Sequence, residues 1–406
     1  MKHIAIIGFG VVGGGIPEVI ASCKDGIERV LGEGINVKYI LDLREFPDSP
    51  YADRVVHDID VILNDPEIEL VAETMGGSHP AYEFTVACME HGISVVSSNK
   101  EVVANFGDKL LECAEKNGVM YLFEASVGGG IPCLRPFASS LGHEHITSVS
   151  GILNGTTNFI LTKMKTEKRD FAEVLAEAQS LGYAERDPSA DINSIDAMRK
   201  IIILTALATG KLPSEKTVYA EGITKITPED IDAADRIGAA VKLVGTYREC
   251  GEKMSVYVCP QIVMNDNALS SVNDVYNAIS VRCEITGDVM FYGRGAGRYP
   301  TAGAVVADAV AVLSGAAATE RRNVFVKDDS AVAPFEDVKF SYYIRTALDS
   351  PAEALESFSA AFDEVKVIDG AAAGKCEFIC GKLTKHELDA LLPTLGCVES
   401  VIRIFE

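Results

Sequence analysis

The opening of the chain constrains its fold more than any other segment. Residues Lys2–Ile7 form an apolar run that predicts a β-strand, and Gly8-Phe-Gly-Val-Val-Gly13 follows it directly. Ile16, Val19 and Ile20 then recur with helical spacing. Glycines between a strand and a helix allow a tight turn, and they let backbone N–H groups approach a pyrophosphate at the helix N-terminus. The segment therefore predicts a Rossmann-type dinucleotide-binding domain.

The end of the second predicted strand bears on the choice of coenzyme. Val37–Leu41 is followed by Asp42, and an acidic side chain there can bind the two ribose hydroxyls of NAD. Arg44 lies two residues further on and could pair with the 2′-phosphate of NADP instead. The pattern favours NAD but leaves NADP open.

Alternating segments extend the predicted sheet. Strands are predicted at Leu70–Glu73, Ser94–Ser97 and Tyr121–Glu124, and a helix at Ala81–His91. Ligands bind beyond the carboxyl ends of strands in open α/β sheets. Lys100 follows such an end, so it is either a functional residue or an ordinary surface lysine.

Three glycines follow the predicted strand that ends at Glu124. The segment Ala125-Ser-Val-Gly-Gly-Gly-Ile-Pro132 leaves its backbone accessible. Carbonyl oxygens turned toward Glu124 would suit a hard cation. A tight crossover without a ligand fits the spacing equally well.

The stretch Leu181–Lys200 concentrates charged side chains. Glu185, Asp187 and Asp191 lie on a Pro-containing loop, and Asp196 and Lys200 begin a predicted helix. A spacing of four places Asp196 and Lys200 on one helical face. Such a pair is usually a surface ion pair that stabilises by about 0.3–0.5 kcal/mol. The loop carboxylates favour instead a site for an amine-bearing substrate.

The remaining pattern predicts an α+β middle region and a small tail module. Segments predicted in the middle region are the strand Ile146–Gly151, the polar turn Leu153–Asn158, a helix from Phe159, the helix Phe171–Leu181, the helix Pro228–Leu243 capped by Thr227, strands near Met254–Val258 and Val281–Ile285, and the helix Ala302–Gly315. The tail reads as the β-α-β-β-α-β order of a ferredoxin-like unit, with Pro351–Phe362 as its first helix. Three domains are predicted: 1–130 for dinucleotide binding, 131–335 for catalysis and dimerisation, and 338–406 for the tail.

Composition excludes some classes of partner. The net charge of −22 argues against a nucleic-acid surface and against anionic lipid. No run is long and apolar enough to span a membrane, and the start has no signal-peptide pattern. Because the ten cysteines lack metal or redox spacing, we expect a reducing cytoplasm.

Seven segments together resemble homoserine dehydrogenases over essentially the whole chain. They are Gly8–Gly13, Glu73–Gly77, Asn99-Lys100, Glu124–Pro132, Asn154–Asn158, Leu181–Lys200 and Gly295–Ala302. The tail is similar to an ACT domain, an amino-acid-sensing fold. The resemblance implies reversible NAD(P)H-dependent reduction of L-aspartate 4-semialdehyde to L-homoserine, and it suggests a homodimer or a higher homo-oligomer.

The resemblance also implies roles for individual residues. Lys200 would be the proton donor, oriented by Asp196 and assisted by Lys100, while Glu185 and Asp191 would hold the substrate ammonium. The coenzyme would lie along Phe9, Gly10, Val11, Val12, Gly13, Asp42, Thr74, Lys100 and Gly303. A monovalent cation, usually sodium, would be bound by the Glu124 carboxylate and the carbonyls of Val127, Gly129 and Ile131.

Two positions depart from the family pattern. Leu41 stands where members that use NADP often have a basic residue, which favours NAD. Ala352 stands where ACT domains commonly have a ligand-approaching glycine, which disfavours threonine feedback. Two alternative functions fit the pattern less well: a non-catalytic protein that senses dinucleotides and amino acids, and a dehydrogenase of another amino-acid substrate.

Overall fold

A computed structural model describes residues 1–319, 323–347, 362, 364–395 and 398–406. The chain divides into two compact units, each assembled from three segments. Unit 1 comprises residues 1–146, 202–215 and 282–329, and unit 2 comprises residues 147–201, 216–281 and 330–406.

Strands and helices alternate through the first third of the chain, and long strands dominate afterwards. The described strands are β1 Lys2–Ile7, β2 Ile35–Leu41, β3 Val55–Val56, β4 Ile68–Glu73, β5 Ser94–Ser97, β6 Tyr121–Leu122, β7 Ile146–Ile152, β8 Lys211–Leu212, β9 Tyr219–Ala220, β10 Ala239–Cys250, β11 Lys253–Met264, β12 Tyr276–Cys283, β13 Gly287–Arg294, β14 Val326–Lys327, β15 Lys339–Thr346, β16 Val365–Val367, β17 Cys376–Thr384 and β18 Val398–Ile404. The described α-helices are α1 Val11–Ser22, α2 Lys24–Leu31, α3 Asp60–Leu63, α4 Ala81–Glu90, α5 Lys100–Asn117, α6 Arg135–Ala138, α7 Gly155–Glu167, α8 Phe171–Ser180, α9 Ser189–Ile192, α10 Ile195–Thr209, α11 Pro228–Arg236, α12 Arg298–Leu313 and α13 Lys385–Leu391.

Unit 1 is built on a six-stranded sheet with the order β3-β2-β1-β4-β5-β6. All five strand pairings are parallel. This is the strand order of a dinucleotide-binding fold, with β1 at the point where the order reverses. The predicted Rossmann-type domain is confirmed.

The core of unit 1 holds the glycine turn against the sheet. Ile4 and Ile6 of β1 are buried together with Ile16 of α1 and Val305 of α12. Burying side chains of this size stabilises by about 1.5–3 kcal/mol each. Helix α12 therefore packs into the same core as the first strand and helix.

Unit 2 contains a mainly antiparallel sheet with the order β12-β7-β10-β11-β18-β15-β17-β16, and β9 lies beside β11. The tail strands belong to this sheet, because β18 pairs with β11 at Gln261↔Arg403 and Ile262↔Ile404. Strands β15, β17 and β18 are antiparallel neighbours, and so are β16 and β17. A shared hydrophobic core also holds the tail strands to β11, because Tyr257 of β11 and Phe378 of β17 lie in one cluster.

Several predicted elements differ from the structure. The helix predicted over Pro228–Leu243 ends at Arg236, because Gly238 adopts a positive φ of 72° and β10 begins at Ala239. The strand predicted over Tyr121–Glu124 stops at Leu122, and Glu124 begins a 3-10 turn. The strand predicted near Val281–Ile285 instead spans Tyr276–Cys283. Helix α5 was not predicted, although Asn99 caps its start and Gly118 ends it.

Part of the tail prediction lies outside the described residues. These are most of the helix predicted at Pro351–Phe362 and the turn Asp349–Ala352. The ferredoxin-like assignment and the three domain boundaries therefore stay predictions. Among the described helices, none is long and apolar enough to cross a bilayer.

Candidate active site

The turn after β1 is shaped by close backbone contacts. The Gly8 amide donates to the carbonyl oxygen of Leu41 at 2.8 Å, and the Thr74 hydroxyl donates to the carbonyl of Gly8 at 2.7 Å. A Cβ on Gly13 would lie 2.0 Å from Gly8 O and 2.7 Å from Thr74 Oγ1. Only glycine fits at position 13, so the helix can start directly against the turn.

The outer side of the same turn is open. Among the described residues, apart from its two chain neighbours, no atom lies within 4 Å of a Cβ built on Gly10, and Val11 is 68% exposed although it is apolar. Position 303 on α12 is equally open. These surfaces of unit 1 leave room for a ligand at the N-terminus of α1.

Asp42 is held rigidly at the end of β2. Its Oδ2 accepts the Phe9 amide at 2.7 Å, and its Oδ1 accepts Arg44 Nε at 2.9 Å. The hydrogen bonds from the Arg44 side chain and from the Phe9 and Arg44 amides lower the pKa of Asp42 to about 2. The carboxylate is therefore ionised and oriented, and Arg44 is tied to it.

A buried carboxylate organises the start of α5. The Glu73 carboxylate accepts the Ser97 hydroxyl at 2.6 Å and the Met75 amide at 2.8 Å, and burial raises its pKa. Asn99 donates to the Gly77 carbonyl at 2.8 Å and accepts the Val102 amide as the N-cap. Lys100 is thus the first residue of a capped helix at the carboxyl end of β5.

The glycine-rich segment after Glu124 is anchored at both ends. The Glu124 carboxylate accepts the amides of Leu134 at 2.8 Å and Arg135 at 2.7 Å, while the Glu124 amide donates to Asp308 of α12 at 2.8 Å. Burial raises the pKa of Glu124, and burial together with the Glu124 charge raises the pKa of Asp308 to about 7. A Cβ on Gly129 would lie 2.6 Å from the carbonyl carbon of Gly295. The connection between β13 and α12, which contains Gly295, therefore packs directly on this segment.

In unit 2 the predicted lysine and aspartate form a buried pair. Lys200 Nζ donates to Asp196 Oδ2 at 2.7 Å and to the carbonyl of Leu153 at 2.7 Å. Asn154 Nδ2 bridges two carboxylates, with 2.9 Å to Asp196 and 2.7 Å to Asp191. Asp196 and Lys200 are only 8% and 7% exposed. An exposed surface pair, the alternative left open by the sequence, is excluded by this burial.

Models of a known protein family match segments of both units. Family models described as the NAD-binding domain of homoserine dehydrogenase and as homoserine dehydrogenase match residues 8–124 and 132–310. A homoserine dehydrogenase from Synechocystis is 40% identical over 76% of this chain and 73% of its own length. The chain belongs to the homoserine dehydrogenase family.

Solved structures of homoserine dehydrogenases share the fold. The enzyme from Thiobacillus denitrificans superimposes with a TM-score of 0.90 at 31% identity and covers 100% of this chain and 98% of its own. A hyperthermophilic archaeal homoserine dehydrogenase mutant, solved in complex with NADPH, has a TM-score of 0.66 at 29% identity, covering 77% of this chain and 97% of that chain. The chain is therefore an oxidoreductase with a dinucleotide-binding domain.

Some of the predicted site residues lie close together in the homoserine dehydrogenase fold, and others belong to different parts of it. Lys200, Asp196 and Asp191 are brought together in unit 2. Glu185 lies exposed on the preceding loop, where its carbonyl accepts Gln179 Nε2 at 3.1 Å. Lys100 belongs to unit 1, so its convergence with Lys200 stays a prediction.

Two groups of the cluster were not assigned from the sequence. Asn154 and the Leu153 carbonyl complete the environment of Asp196 and Lys200. The polar turn Leu153–Asn158 was a signal, because Asn154 also caps α7 by accepting the Thr157 amide. The N-cap role accounts for the hydrogen bond that Asn154 Oδ1 accepts. The hydrogen bonds that Asn154 Nδ2 donates to Asp191 and Asp196 are a separate role.

Proposed function

We propose that this homoserine dehydrogenase interconverts L-homoserine and L-aspartate 4-semialdehyde, with Lys200 as the proton donor and acceptor. The buried Lys200, Asp196 and Asn154, joined by the half-buried Asp191, carry the proposal. Negative charge develops on the aldehyde oxygen as it is reduced. A cationic donor aimed at that oxygen is favoured in the transition state more than in the ground state.

The surroundings of Lys200 suit proton transfer. Within the described residues, Asp196 and the Leu153 carbonyl satisfy two of the three donor directions of its Nζ, which leaves one for a substrate oxygen. Asp196 keeps the ammonium oriented, and Asn154 keeps Asp196 oriented. Asp191, fixed by the same amide, and Glu185 on the adjoining loop would bind the substrate ammonium. Lys100 would assist at the same oxygen.

The coenzyme site suits a dinucleotide. The open space at Gly10 and the enforced glycine at position 13 form a cradle at a helix N-terminus, and Asp42 lies where a ribose would be bound. Phe9, Val11, Val12, Thr74 and Gly303 would border the bound coenzyme. The bound nicotinamide would supply or accept the hydride. The chain's own part is to hold the coenzyme and to move the proton.

Coenzyme preference is tested at Asp42. We favour NAD, because the ionised Asp42 would repel a 2′-phosphate and it ties up Arg44. Asp42→Ala should raise the NADP-to-NAD ratio of kcat/KM by about tenfold, equal to about 1.4 kcal/mol. Adding Arg44→Ala should cancel that rise, and Asp48→Ala on the exposed loop should change nothing. An unchanged ratio in the Asp42 variant would remove the proposed role of this residue.

A monovalent cation at the glycine-rich segment is the finer part of the proposal. Within the described residues no group of three acidic, His or Cys side chains gathers as a metal site, so backbone carbonyls would have to do most of the binding. The segment suits this: Gly128 and Gly129 have positive φ angles of 73° and 55°, and Val127 and Ile131 are buried. Cys133 Sγ, a weak donor, lies 3.7 Å from the Val127 carbonyl. Carbonyls of this kind suit a hard cation.

Removing sodium tests the cation site. In tetramethylammonium buffer we expect the initial rate and the melting temperature both to fall and to recover on addition of NaCl. The melting temperature reports binding independently of turnover. Equal values in both buffers would argue against a cation at this segment.

One assay separates the proposal from a sensing protein. Homoserine is incubated with NAD or NADP at alkaline pH, with and without threonine, and absorbance of the reduced coenzyme is followed. The proposal expects turnover with at least one coenzyme. Binding of homoserine by calorimetry without any turnover would favour the non-catalytic alternative. A homodimer and a cytoplasmic location remain predictions.

A further inference from the structure

The helix that carries Asp196 and Lys200 begins directly after a residue in an unusual backbone conformation. Ser194 joins α9, which contains Asp191, to α10, which carries Asp196 and Lys200. Its φ is 69°, in the left-handed region that side chains rarely adopt, and it is fully buried. Its amide donates to the Asp191 carbonyl at 2.9 Å, and its carbonyl accepts the Met198 amide at 2.8 Å. The angle between α9 and α10 therefore depends on the backbone conformation of Ser194.

A short segment from elsewhere in unit 2 holds Ser194 in this conformation. The Ser194 hydroxyl donates to the carbonyl of Glu221 at 2.9 Å, and the Ile223 amide donates to the carbonyl of Ile192 at 3.1 Å. A Cβ on Gly222 would lie 2.0 Å from the Ile192 carbonyl oxygen. Residues 221–223 thus lie in direct backbone contact with the junction of α9 and α10.

The same segment is bound by the last strand of the tail. Arg403 of β18 donates from Nη1 to Glu221 Oε2 at 2.6 Å, and the Tyr219 hydroxyl donates to the same oxygen at 2.8 Å. The Arg403 guanidinium lies 5.0 Å from the ring centre of Phe335 and 5.3 Å from that of Tyr219. Those two rings are stacked at 3.8 Å. Arg403 is only 7% exposed, while the Glu221 side chain is 29% exposed, so the ion pair is shielded from solvent on the arginine side.

We propose that Arg403, Glu221 and Ser194 form a clasp through which the tail positions the helix bearing Asp196 and Lys200. The inference rests on the proposed role of Lys200 and adds three positioning residues to it. Arg403 fixes Glu221, the Glu221 carbonyl fixes Ser194, and Ser194 fixes the start of α10. The tail thereby contributes to catalysis without contacting the substrate.

The test compares variants of the full-length protein. Arg403→Met removes the ion pair and keeps an apolar stem among the rings. It should lower kcat/KM for homoserine by about 10- to 100-fold, the range expected when a catalytic group is misplaced. The dissociation constant for NAD should stay unchanged, because the coenzyme residues belong to unit 1. Arg403→Lys, which keeps the charge, should recover part of the loss.

Arg236→Met provides a matched control. Arg236 of α11 pairs with the buried Glu377 of the tail strand β17, away from Ser194. This variant also removes an ion pair between the tail and the body of unit 2. It should lower the melting temperature, because it leaves the buried Glu377 unpaired, and it should leave kcat/KM for homoserine within about twofold of wild type, because this pair joins α11 to β17 and does not involve residues 221–223. An equal loss of kcat/KM in both variants would overturn the clasp.

Two substitutions at Ser194 test the clasp even if the Arg403→Met variant does not fold. Ser194→Ala removes only the hydroxyl and keeps a β-carbon at a disfavoured positive φ, whereas Ser194→Gly removes the whole side chain and accepts that φ without strain. The clasp predicts that both lower kcat/KM and that alanine lowers it more. Wild-type kinetics in both variants would overturn the inference while wild-type turnover still supports the proposed function. Absence of turnover in the wild type would instead count against the proposed function itself.

Discussion

Replacing Lys200 with alanine is expected to lower kcat for homoserine oxidation by about 10²–10⁴-fold, the contribution of a positioned acid–base group. Lys200 is buried and directed by Asp196 and the Leu153 carbonyl. Binding of NAD, measured by fluorescence titration, should be retained. The loss should therefore appear in the proton-transfer step and not in coenzyme affinity.

Stability must be separated from chemistry in this variant. Removing one partner of a buried ion pair can cost about 3–5 kcal/mol. Lys200→Gln avoids part of that cost, because its amide can still donate to Asp196 or to the Leu153 carbonyl but cannot transfer a proton at neutral pH. It should lose kcat as severely as the alanine variant while melting at a higher temperature than that variant.

Lys165 provides a matched control in the same unit. Its Nζ binds an aspartate, Asp235, at 2.9 Å and a carbonyl, that of Ala239, at 3.2 Å, which reproduces the partners of Lys200. Lys165→Gln should leave kcat unchanged. Retained kcat in Lys200→Gln would remove the role we assign to Lys200.

The second large effect is expected at the glycine turn. Gly10→Ala should weaken NAD binding by about 100-fold, equal to about 2.7 kcal/mol. Beyond its chain neighbours, no atom in the described part of the chain lies within 4 Å of the added Cβ, and the φ of Gly10 is −82°, which alanine accepts. The melting temperature without coenzyme should therefore equal that of wild type. The methyl group would occupy space that only the coenzyme needs.

Two other glycines bracket this prediction. Gly13→Ala should lose both binding and stability, because its Cβ meets Gly8 O at 2.0 Å. Gly26→Ala, in helix α2 with open space around it, should raise stability by about 1 kcal/mol and leave binding unchanged. Unaltered NAD affinity in Gly10→Ala would place the coenzyme elsewhere.

Local patterns in the sequence predicted what local physics determines. The strand Lys2–Ile7 and the glycine turn were read correctly because an apolar run and three glycines specify them without distant partners. The spacing of four between Asp196 and Lys200 correctly placed the two side chains in contact. The family was recognised because many such segments occur in one order.

Long-range partners explain most of what was missed. Residues Ala239–Leu243 read as a continuation of helix α11, but they pair with β11, and tertiary pairing outweighs local propensity. Gly238 indicates in the sequence that helix α11 ends before it, because helices commonly end at a glycine with a positive φ. Asn154 and the Leu153 carbonyl lie more than forty residues before Lys200, and no spacing rule connects them. The clasp at Ser194 joins three segments that only the folded chain brings together.

A crystal structure with NAD and homoserine bound tests the central claim most directly. The account predicts that Lys200 Nζ and Lys100 Nζ both lie within about 3.5 Å of the substrate hydroxyl oxygen, the distance from which groups can react. Asp191 and Glu185 should contact the substrate ammonium. A complex in which Lys200 Nζ does not reach the hydroxyl oxygen and another residue contacts that oxygen would contradict the account.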